Sequence, residues 1–230
     1  MRKQAVIIGA GSGLSAALAR EFATDHTVTL AARDGTRAQS VAEATGARLV
    51  QLDATDETAV ADMVDSLDGA PNLVVYNPSA RSRGPIAELD IEAVRNAIDV
   101  TAVGALIAAK HAARRMLENT SQQGCRGTIL LTGASAGVKG FANSAPFAMG
   151  KFAQRGLAES MARELHPKGI HVAWVNVDGA IRNPGRDEPA DRPDSMLDPD
   201  AIARTYRHLY EQDRSAWTHE IAVRPWVETF

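Results

Sequence analysis

A glycine-rich turn near the start of this 230-residue chain constrains its fold more strongly than any other feature. The apolar residues 5–8 predict a buried strand, residues 9–15 contain three glycines, and Leu14, Leu18 and Phe22 follow at the spacing of one helix face. A helix that begins directly after such a turn presents free N–H groups and a partial positive charge. Glycine lets a phosphate approach the backbone closely. The segment therefore predicts an anion site of the kind that binds the pyrophosphate of a nucleotide.

Short apolar runs alternate with longer amphipathic segments along the rest of the chain. Strands are predicted at 27–30, 49–52, 73–76, 128–131, 172–175 and 217–223, and a long alanine-rich helix at 91–117. Strands that are apolar on both faces and separated by helices indicate a parallel sheet covered on both sides. The predicted fold is therefore α/β, a doubly wound, mainly parallel seven-stranded sheet. Residues 184–199 hold four prolines and predict a mobile loop without regular structure.

Composition narrows the possible functions. A net charge of -3 gives no basic surface for nucleic acid, and no stretch has the roughly 18 apolar residues of a membrane span. The single cysteine, Cys125, excludes an internal disulfide and favours a reducing compartment, so we expect a cytoplasmic protein. The six histidines show no metal-ligand spacing, and no metal site is predicted.

The turn has the spacing G-x-x-x-G-x-G with Ser15 in place of the last glycine. This motif, Asn77 after the fourth strand, and Lys151 four residues after Phe147 resemble the short-chain dehydrogenase/reductase family from the first strand to about Ile181. The resemblance implies one Rossmann-type NAD(P)-binding domain over 1–230, with a substrate loop at 182–198 and a final strand and tail at 217–230. It also implies a homodimer or homotetramer. Trp226 and Phe230 are expected in a subunit contact, and the alternative is that they dock on their own subunit.

The end of the second strand bears on the choice of cofactor. Apolar Ala32 occupies the place where an NAD enzyme carries an acid for the ribose hydroxyl, and Arg33 follows. A guanidinium suits a 2′-phosphate, which favours NADP(H) over NAD(H); the alternative is a solvated arginine paired with Asp34. By resemblance, Asp53 accepts from the adenine amino group. The cofactor-binding set is predicted to be Gly9, Ser12, Gly13, Leu14, Arg33, Asp53, Ala54, Asn77, Val100, Lys151 and Ile181.

The positions that carry catalysis in the family are changed in this chain. The family uses a tyrosine, a lysine, a serine and an asparagine for acid–base chemistry on a carbonyl. Lys151 fits the lysine, but the other three positions hold Phe147, Ala134 and Thr101. Ser135 is one residue out of place, and Ser144 and Thr101 are further candidate hydroxyls. Asp178 replaces the family's proline before Gly179 and either acts near the cofactor or stabilises a turn.

These changes leave different classes of function open. The first is an NADP(H)-dependent oxidoreductase with a degenerate catalytic tetrad, acting on a small carbonyl, imine or conjugated acceptor. The second is a non-catalytic NADP(H)-binding sensor or scaffold, and the third is an enzyme that uses the nucleotide structurally. A phenylalanine at the tyrosine position removes general acid assistance, typically worth about 10²–10⁴-fold in rate.

Overall fold

The computed structural model describes residues 2–119 and 124–228, which form a seven-stranded parallel sheet with helices on both faces. The fold class predicted from the sequence is therefore confirmed. The sheet order is β3-β2-β1-β4-β5-β6-β9, and a small separate ladder joins β7 to β8. The strands are β1 (Lys3–Ile8), β2 (His26–Ala32), β3 (Arg48–Gln51), β4 (Leu73–Tyr76), β5 (Gly127–Thr132), β6 (Ile170–Val177), β7 (Ala180–Ile181), β8 (Met196–Leu197) and β9 (Glu220–Val223).

Helices cover both faces of the sheet. They are α1 (Leu14–Ala23), α2 (Thr36–Thr45), α3 (Glu57–Asp65), α4 (Ile91–Ile98), α5 (Gly104–Glu118), α6 (Ala145–Leu165) and α7 (Pro199–Glu211). One apolar layer contains Met116 and Trp174, and the other contains Phe22 and Tyr206. The strand order reverses beside β1, which pairs with β2 on one side and β4 on the other. In open parallel sheets, ligands bind in the crevice that such a reversal opens at the carboxyl ends of the strands.

The helix predicted at 91–117 is interrupted by one turn of π-helix, Asp99–Val103. The Tyr76 hydroxyl donates a hydrogen bond to the Val100 carbonyl at 2.5 Å in this turn. Gly104 follows, and a Cβ at that position would collide with the same hydroxyl. A tyrosine from β4 is thus accommodated where the helix widens into a single π-turn.

The prediction that residues 184–199 lack regular structure is wrong at the end of the segment, where β8 and the start of α7 lie, and the segment begins with a turn. Asn183 to Arg186 form a tight turn in which the Arg186 amide donates to the Asn183 carbonyl at 2.8 Å and Gly185 has a φ of +82°. A proline followed by a left-handed glycine is the signature of a type II turn. Met196–Leu197 pairs with β7. α7 begins at Pro199 and is capped by the Asp198 side chain. Proline is tolerated at the first helical position because its missing N–H would have no partner in the helix.

The end of the chain agrees in part with the expected strand and tail. β9 occupies Glu220–Val223, and Trp226 is 82% exposed, whereas Thr229 and Phe230 lie outside the described residues. Across residues 2–119 and 124–228, no helix is long and apolar enough to cross a lipid bilayer. The cytoplasmic location stays a prediction.

Candidate functional site

A cleft follows the carboxyl ends of β1, β4 and β5 and begins at the glycine turn. The Gly9 and Ala10 amides donate to the Ala31 carbonyl at 2.8 and 2.9 Å, so the turn is fastened to the end of β2. Gly9 has a φ of +86°, and a Cβ there would lie 2.8 Å from the ring of Pro78. Only glycine combines this backbone conformation with this close approach.

The start of α1 presents unpartnered backbone donors to this cleft. Gly13 is the N-cap residue and makes no side-chain capping bond, and the first turn of α1 contains no acidic residue. A Cβ built on Gly11 would meet no atom within 4 Å. An uncapped helix start beside open space is suited to bind an anion through its N–H groups and its partial positive charge.

Ser15, at the family's last glycine position, links the turn to the loop after β4. Its buried hydroxyl donates to the Gly9 carbonyl at 2.8 Å and accepts from the Asn77 side-chain amide at the same distance. The serine therefore stabilises the turn through a bond network that glycine cannot form. It also fixes the Asn77 side chain beside α1.

The cleft brings together about half of the predicted cofactor set. Its lining includes Gly9, Gly13, Leu14, Asn77, Lys151 and Ile181. Ser12, Arg33, Asp53, Ala54 and Val100 do not line it.

Arg33 and Asp53 follow neighbouring strands on the β2–β3 side of the glycine turn. Arg33 is exposed, and Asp34 does not pair with it but accepts from Thr36 and lies 3.9 Å from Arg37. Asp53 accepts from the amide and hydroxyl of Thr55 at 2.9 and 2.8 Å, which lowers the pKa of its carboxyl. Its charge is thus favoured at neutral pH. Asp53 is not the N-cap of α3, because the Asp56 side chain caps that helix.

Lys151 is buried, and its ammonium is held at the end of β5. The Nζ atom donates to the Thr132 carbonyl at 2.5 Å and to the Gln154 side-chain oxygen at 3.2 Å. Burial, followed by repulsion from Arg81, lowers the pKa of Lys151 to about 7. An ammonium has three donors, so two fixed bonds leave one N–H for another acceptor.

A second cleft adjoins the first, and two of the residues that the sequence predicts at the family's catalytic positions lie between the two. Phe147 and Ala134 line both clefts, whereas Ser135 and Ser144 line only the second. Ser135 begins a short 3-10 turn after β5, and Ser144 precedes α6 without a side-chain capping bond. Two hydroxyl groups are therefore available beside Phe147.

The three tyrosines, all of them within the described ranges, lie away from both clefts. Tyr206 is fully buried on α7, and its hydroxyl is 2.8 Å from the Thr132 hydroxyl. Tyr76 contacts the Val100 carbonyl as described above, and Tyr210 packs edge-on against Phe22. Burial raises the pKa of Tyr206 above its usual range.

Thr101 is fully buried where the π-turn meets α6. Its hydroxyl accepts from the Ala80 amide at 3.3 Å, and its carbonyl accepts from the Gln154 side-chain amide at 3.0 Å. A Cβ on Gly150 would lie 2.9 Å from the Thr101 Cβ. This threonine therefore holds the loop after β4 and packs two helices together, and its hydroxyl faces that loop.

Asp178 lies outside both clefts. Its carboxylate is 3.4 Å from the Arg224 guanidinium, and its amide donates to the Val223 carbonyl at 2.8 Å. These contacts support the turn-stabilising alternative, because the side chain ties β6 to the residue that follows β9. Asn183 instead lines the first cleft and lies next to Gly13. A Cβ added to Gly13 would lie 3.3 Å from the Cβ of Asn183.

Sequence reasoning missed three arginines at the clefts. Arg81 lines both, Arg83 lines the second and Arg186 lines the first. The Arg81 guanidinium lies over the Phe147 ring, 4.1 Å from its centroid. The one usable signal was the sequence Asn183-Pro184-Gly185-Arg186, which predicts a tight turn. Within residues 2–119 and 124–228 there is no group of three or more histidine, cysteine or acidic side chains that could hold a metal.

Residues 3–185 match the short chain dehydrogenase family. The Escherichia coli (strain K12) cyclic-di-GMP-binding biofilm dispersal mediator protein is 31% identical over 176 residues, which cover 75% of this chain and 71% of the relative. The cis-4-hydroxycyclohexanecarboxylate dehydrogenase of Sinomonas cyclohexanicum is 32% identical over 180 residues, covering 74% and 70%.

A solved structure, BdcA in complex with NADPH, superimposes with a TM-score of 0.80 at 27% identity and covers 96% of this chain and 93% of that one. The family match over residues 3–185 contains the glycine turn, the π-turn and Lys151. The chain belongs to the short-chain dehydrogenase family.

Proposed function

We propose that this protein is an NADP(H)-dependent oxidoreductase that acts on a small molecule with an altered set of catalytic residues. The observation that carries the proposal is the continuity of the site. The uncapped start of α1, the buried Lys151 and the backbone of Ile181 line one cleft, and that cleft opens into a second one beside Phe147. A nucleotide site that continues into a separate cavity is suited to a cofactor and a substrate together.

The residues of the first cleft fit a nicotinamide dinucleotide. The open space at Gly11 has room for a pyrophosphate, whose oxygens would accept hydrogen bonds from the amides at the start of α1, and the remaining Lys151 N–H is available to a ribose hydroxyl. Ile181 offers backbone groups to the carboxamide, as the family resemblance implies. When bound, the cofactor supplies or accepts a hydride. Asn183, packed on Gly13, supports the proposal that residues 182–198 close over the site.

NADP(H) is the cofactor that we propose, because the Arg33 side chain is exposed and follows the strand to which the glycine turn is fastened. The NADPH complex of BdcA supports the same choice. Replacing Arg33 by Ala should weaken NADPH binding by about tenfold or more and NADH binding by less than about twofold. The control is Arg48→Ala, an exposed arginine at the start of β3, far from the turn. Equal losses for both nucleotides would exclude the phosphate role.

The chemistry beside Phe147 must proceed without a phenol. Phe147 donates no proton at any pH, so Ser135 and Ser144 are the hydroxyl groups available to a substrate in the second cleft. Lys151, with its pKa near 7, is poised to exchange a proton close to neutral pH. Suitable substrates are conjugated acceptors, protonated imines, or carbonyl compounds that receive their proton from water.

A non-catalytic nucleotide-binding protein is the second candidate. It is favoured by the absence of a tyrosine from both described clefts, and the E. coli relative is itself named for binding a nucleotide. The two candidates differ in turnover. NADPH oxidation should be followed with ketones, imines and conjugated enones. Turnover well above the protein-free rate supports the enzyme.

A variant experiment gives the opposite test. If the wild-type protein binds NADPH without turnover and the double variant Phe147→Tyr/Ala134→Ser gains activity, the site is a former catalytic centre and the binding protein is supported. The control is Phe152→Tyr, an exposed phenylalanine on the same helix that lines neither cleft. A gain of activity in that control would show that the added tyrosine acts non-specifically.

We also propose a homo-oligomer. Val103 at the end of the π-turn, Leu106 on α5, and Met149 and Phe152 on α6 are apolar and 42–52% exposed. The π-turn that contains Val103 packs against α6. Apolar side chains of this size on adjoining elements are typical of subunit contacts. Light scattering of the Leu106→Glu/Phe152→Glu variant should give the monomer mass, and an unchanged larger mass would place the contact elsewhere, for example at Trp226.

A further inference from the structure

The two clefts carry an excess of positive charge. Arg81, Arg83, Arg186 and Lys151 line them, and the described lining residues include no aspartate or glutamate. The chain as a whole has a net charge of -3, so this local excess runs against its overall balance. Like charges gathered in a cleft repel one another, and the repulsion is relieved when an anion binds.

The cleft arginines differ from most other arginines of the protein. Ten described arginines form ion pairs with carboxylates, among them Arg182 with Asp198 at 3.4 Å. For Arg81, Arg83 and Arg186 no such pair occurs within the described part of the chain. Arg81 is exposed as a residue, but partial desolvation of its guanidinium, followed by repulsion from Arg83 and Arg186, lowers its pKa. The Arg81 guanidinium is therefore close enough to Arg83 and to Arg186 to be repelled by both, and none of the three forms an ion pair with a described carboxylate.

Arg81 and Arg83 are held in place by the rest of the fold. The Ala80 amide donates to the buried Thr101 hydroxyl, and the Gly84 amide donates to the Asn143 carbonyl at 3.2 Å. The backbone segment 80–84, which carries both arginines, is therefore fixed at both ends. The Arg81 guanidinium lies on the Phe147 ring. A cation stacked on an aromatic face keeps its in-plane N–H groups free to bind an oxyanion.

We propose that the second cleft binds an oxyanion group of the substrate, a carboxylate or a phosphate, between Arg81 and Arg83, with Phe147 as the platform that positions Arg81. The proposal deepens the function proposed above and rests on it, because the bound anion is part of a substrate only if the protein is an enzyme. Arg83 lies in the second cleft and away from the glycine turn, which separates this anion site from the one that receives the cofactor's pyrophosphate. Arg186 faces the first cleft from the Asn183–Arg186 turn and adds positive charge at the junction.

Binding of small probes tests the proposal with the intact protein. Oxalate, inorganic phosphate and neutral oxamide are titrated by calorimetry, with and without saturating NADP⁺. The variants are Arg83→Gln, Phe147→Leu and the control Arg182→Gln, which removes an arginine of the neighbouring loop that lines neither cleft. We expect at least one anion to bind about tenfold more tightly than oxamide, and Arg83→Gln to remove about tenfold of that affinity, because a charge-assisted bond is lost.

Each outcome decides the question. Phe147→Leu should reduce the preference for anions over oxamide, whereas a merely structural role would weaken all three probes alike. Tighter oxalate binding identifies a carboxylate, and tighter phosphate binding identifies a phosphate. The proposal is overturned if oxamide binds as well as the anions, if Arg83→Gln and Arg182→Gln behave alike, or if NADP⁺ displaces the anion. Absence of NADP⁺ binding together with Arg83-dependent anion binding would overturn the oxidoreductase and leave the anion site standing.

Discussion

Replacing Ser15 by alanine should destabilise the protein through the loss of two specific hydrogen bonds. The hydroxyl joins the Gly9 carbonyl to the Asn77 amide at 2.8 Å on each side, and the side chain is buried. A typical bond contributes about 0.5–1.5 kcal/mol net, so the two together contribute about 1–3 kcal/mol. Gly9 and Asn77 both line the cleft, where water can reach them, which places the expected loss in the lower half of that range.

Urea unfolding of the nucleotide-free protein measures this loss, and thermal unfolding should show a decrease of about 2–6 °C for a chain of this size. The control is Ser160→Ala, an exposed serine on α6, which should leave both values unchanged. NADPH binding should weaken as well, because the glycine turn loses its link to the loop after β4.

A double-mutant cycle with Asn77→Ala isolates the shared bond. The two substitutions should be non-additive by about 0.5 kcal/mol or more, because each alone removes the same contact. Full additivity, or a Ser15→Ala variant as stable as the Ser160→Ala control, would show that the serine merely fills the glycine position.

Three further outcomes follow from the site. Gly150→Ala should lower the free energy of unfolding in urea by about 1–3 kcal/mol, because its Cβ would lie 2.9 Å from the Thr101 Cβ. In Gly156→Ala, on the same helix, the Cβ meets nothing within 4 Å, and the free energy of unfolding should rise by up to about 1 kcal/mol. Equal effects would refute the close packing. Burial lowers the pKa of Lys151 from its usual 10.5 to about 7 in the folded protein, so the unfolded state binds more protons between those values and stability should rise with pH there. Lys151→Met should abolish that rise, and an unchanged pH profile would contradict it. Gly185→Ala, at a φ of +82°, should weaken substrate or oxalate binding in calorimetry by displacing Arg186. An unaltered affinity would show that this turn does not contribute to binding.

The sequence predicted most of the sheet and one half of the site. Residues 5–8 and 73–76 read as buried strands because parallel strands are apolar on both faces, and β1 and β4 lie where that pattern placed them. Gly46 ends α2 in the left-handed conformation, which glycine adopts without strain. The glycine turn was predictable because strand, turn and helix are adjacent in the chain.

The missing half depends on contacts between distant segments. Arg81 and Phe147 are 66 positions apart in the sequence, and only the fold stacks one on the other. The π-turn arises because Tyr76 packs against Val100, which no local pattern of α4 or α5 reveals. α7 was missed although Ile202, Tyr206 and Leu209 form a buried stripe, because the preceding prolines masked the helix start that Asp198 and Pro199 signal.

Direct calorimetric titration of the wild-type protein with NADPH and with NADH tests the central claim, that the uncapped start of α1 and the glycine turn hold a nicotinamide dinucleotide. We predict one nucleotide per chain, with NADPH bound about tenfold or more tightly than NADH. No measurable affinity for either nucleotide would contradict the account of the site and leave only the family and its fold.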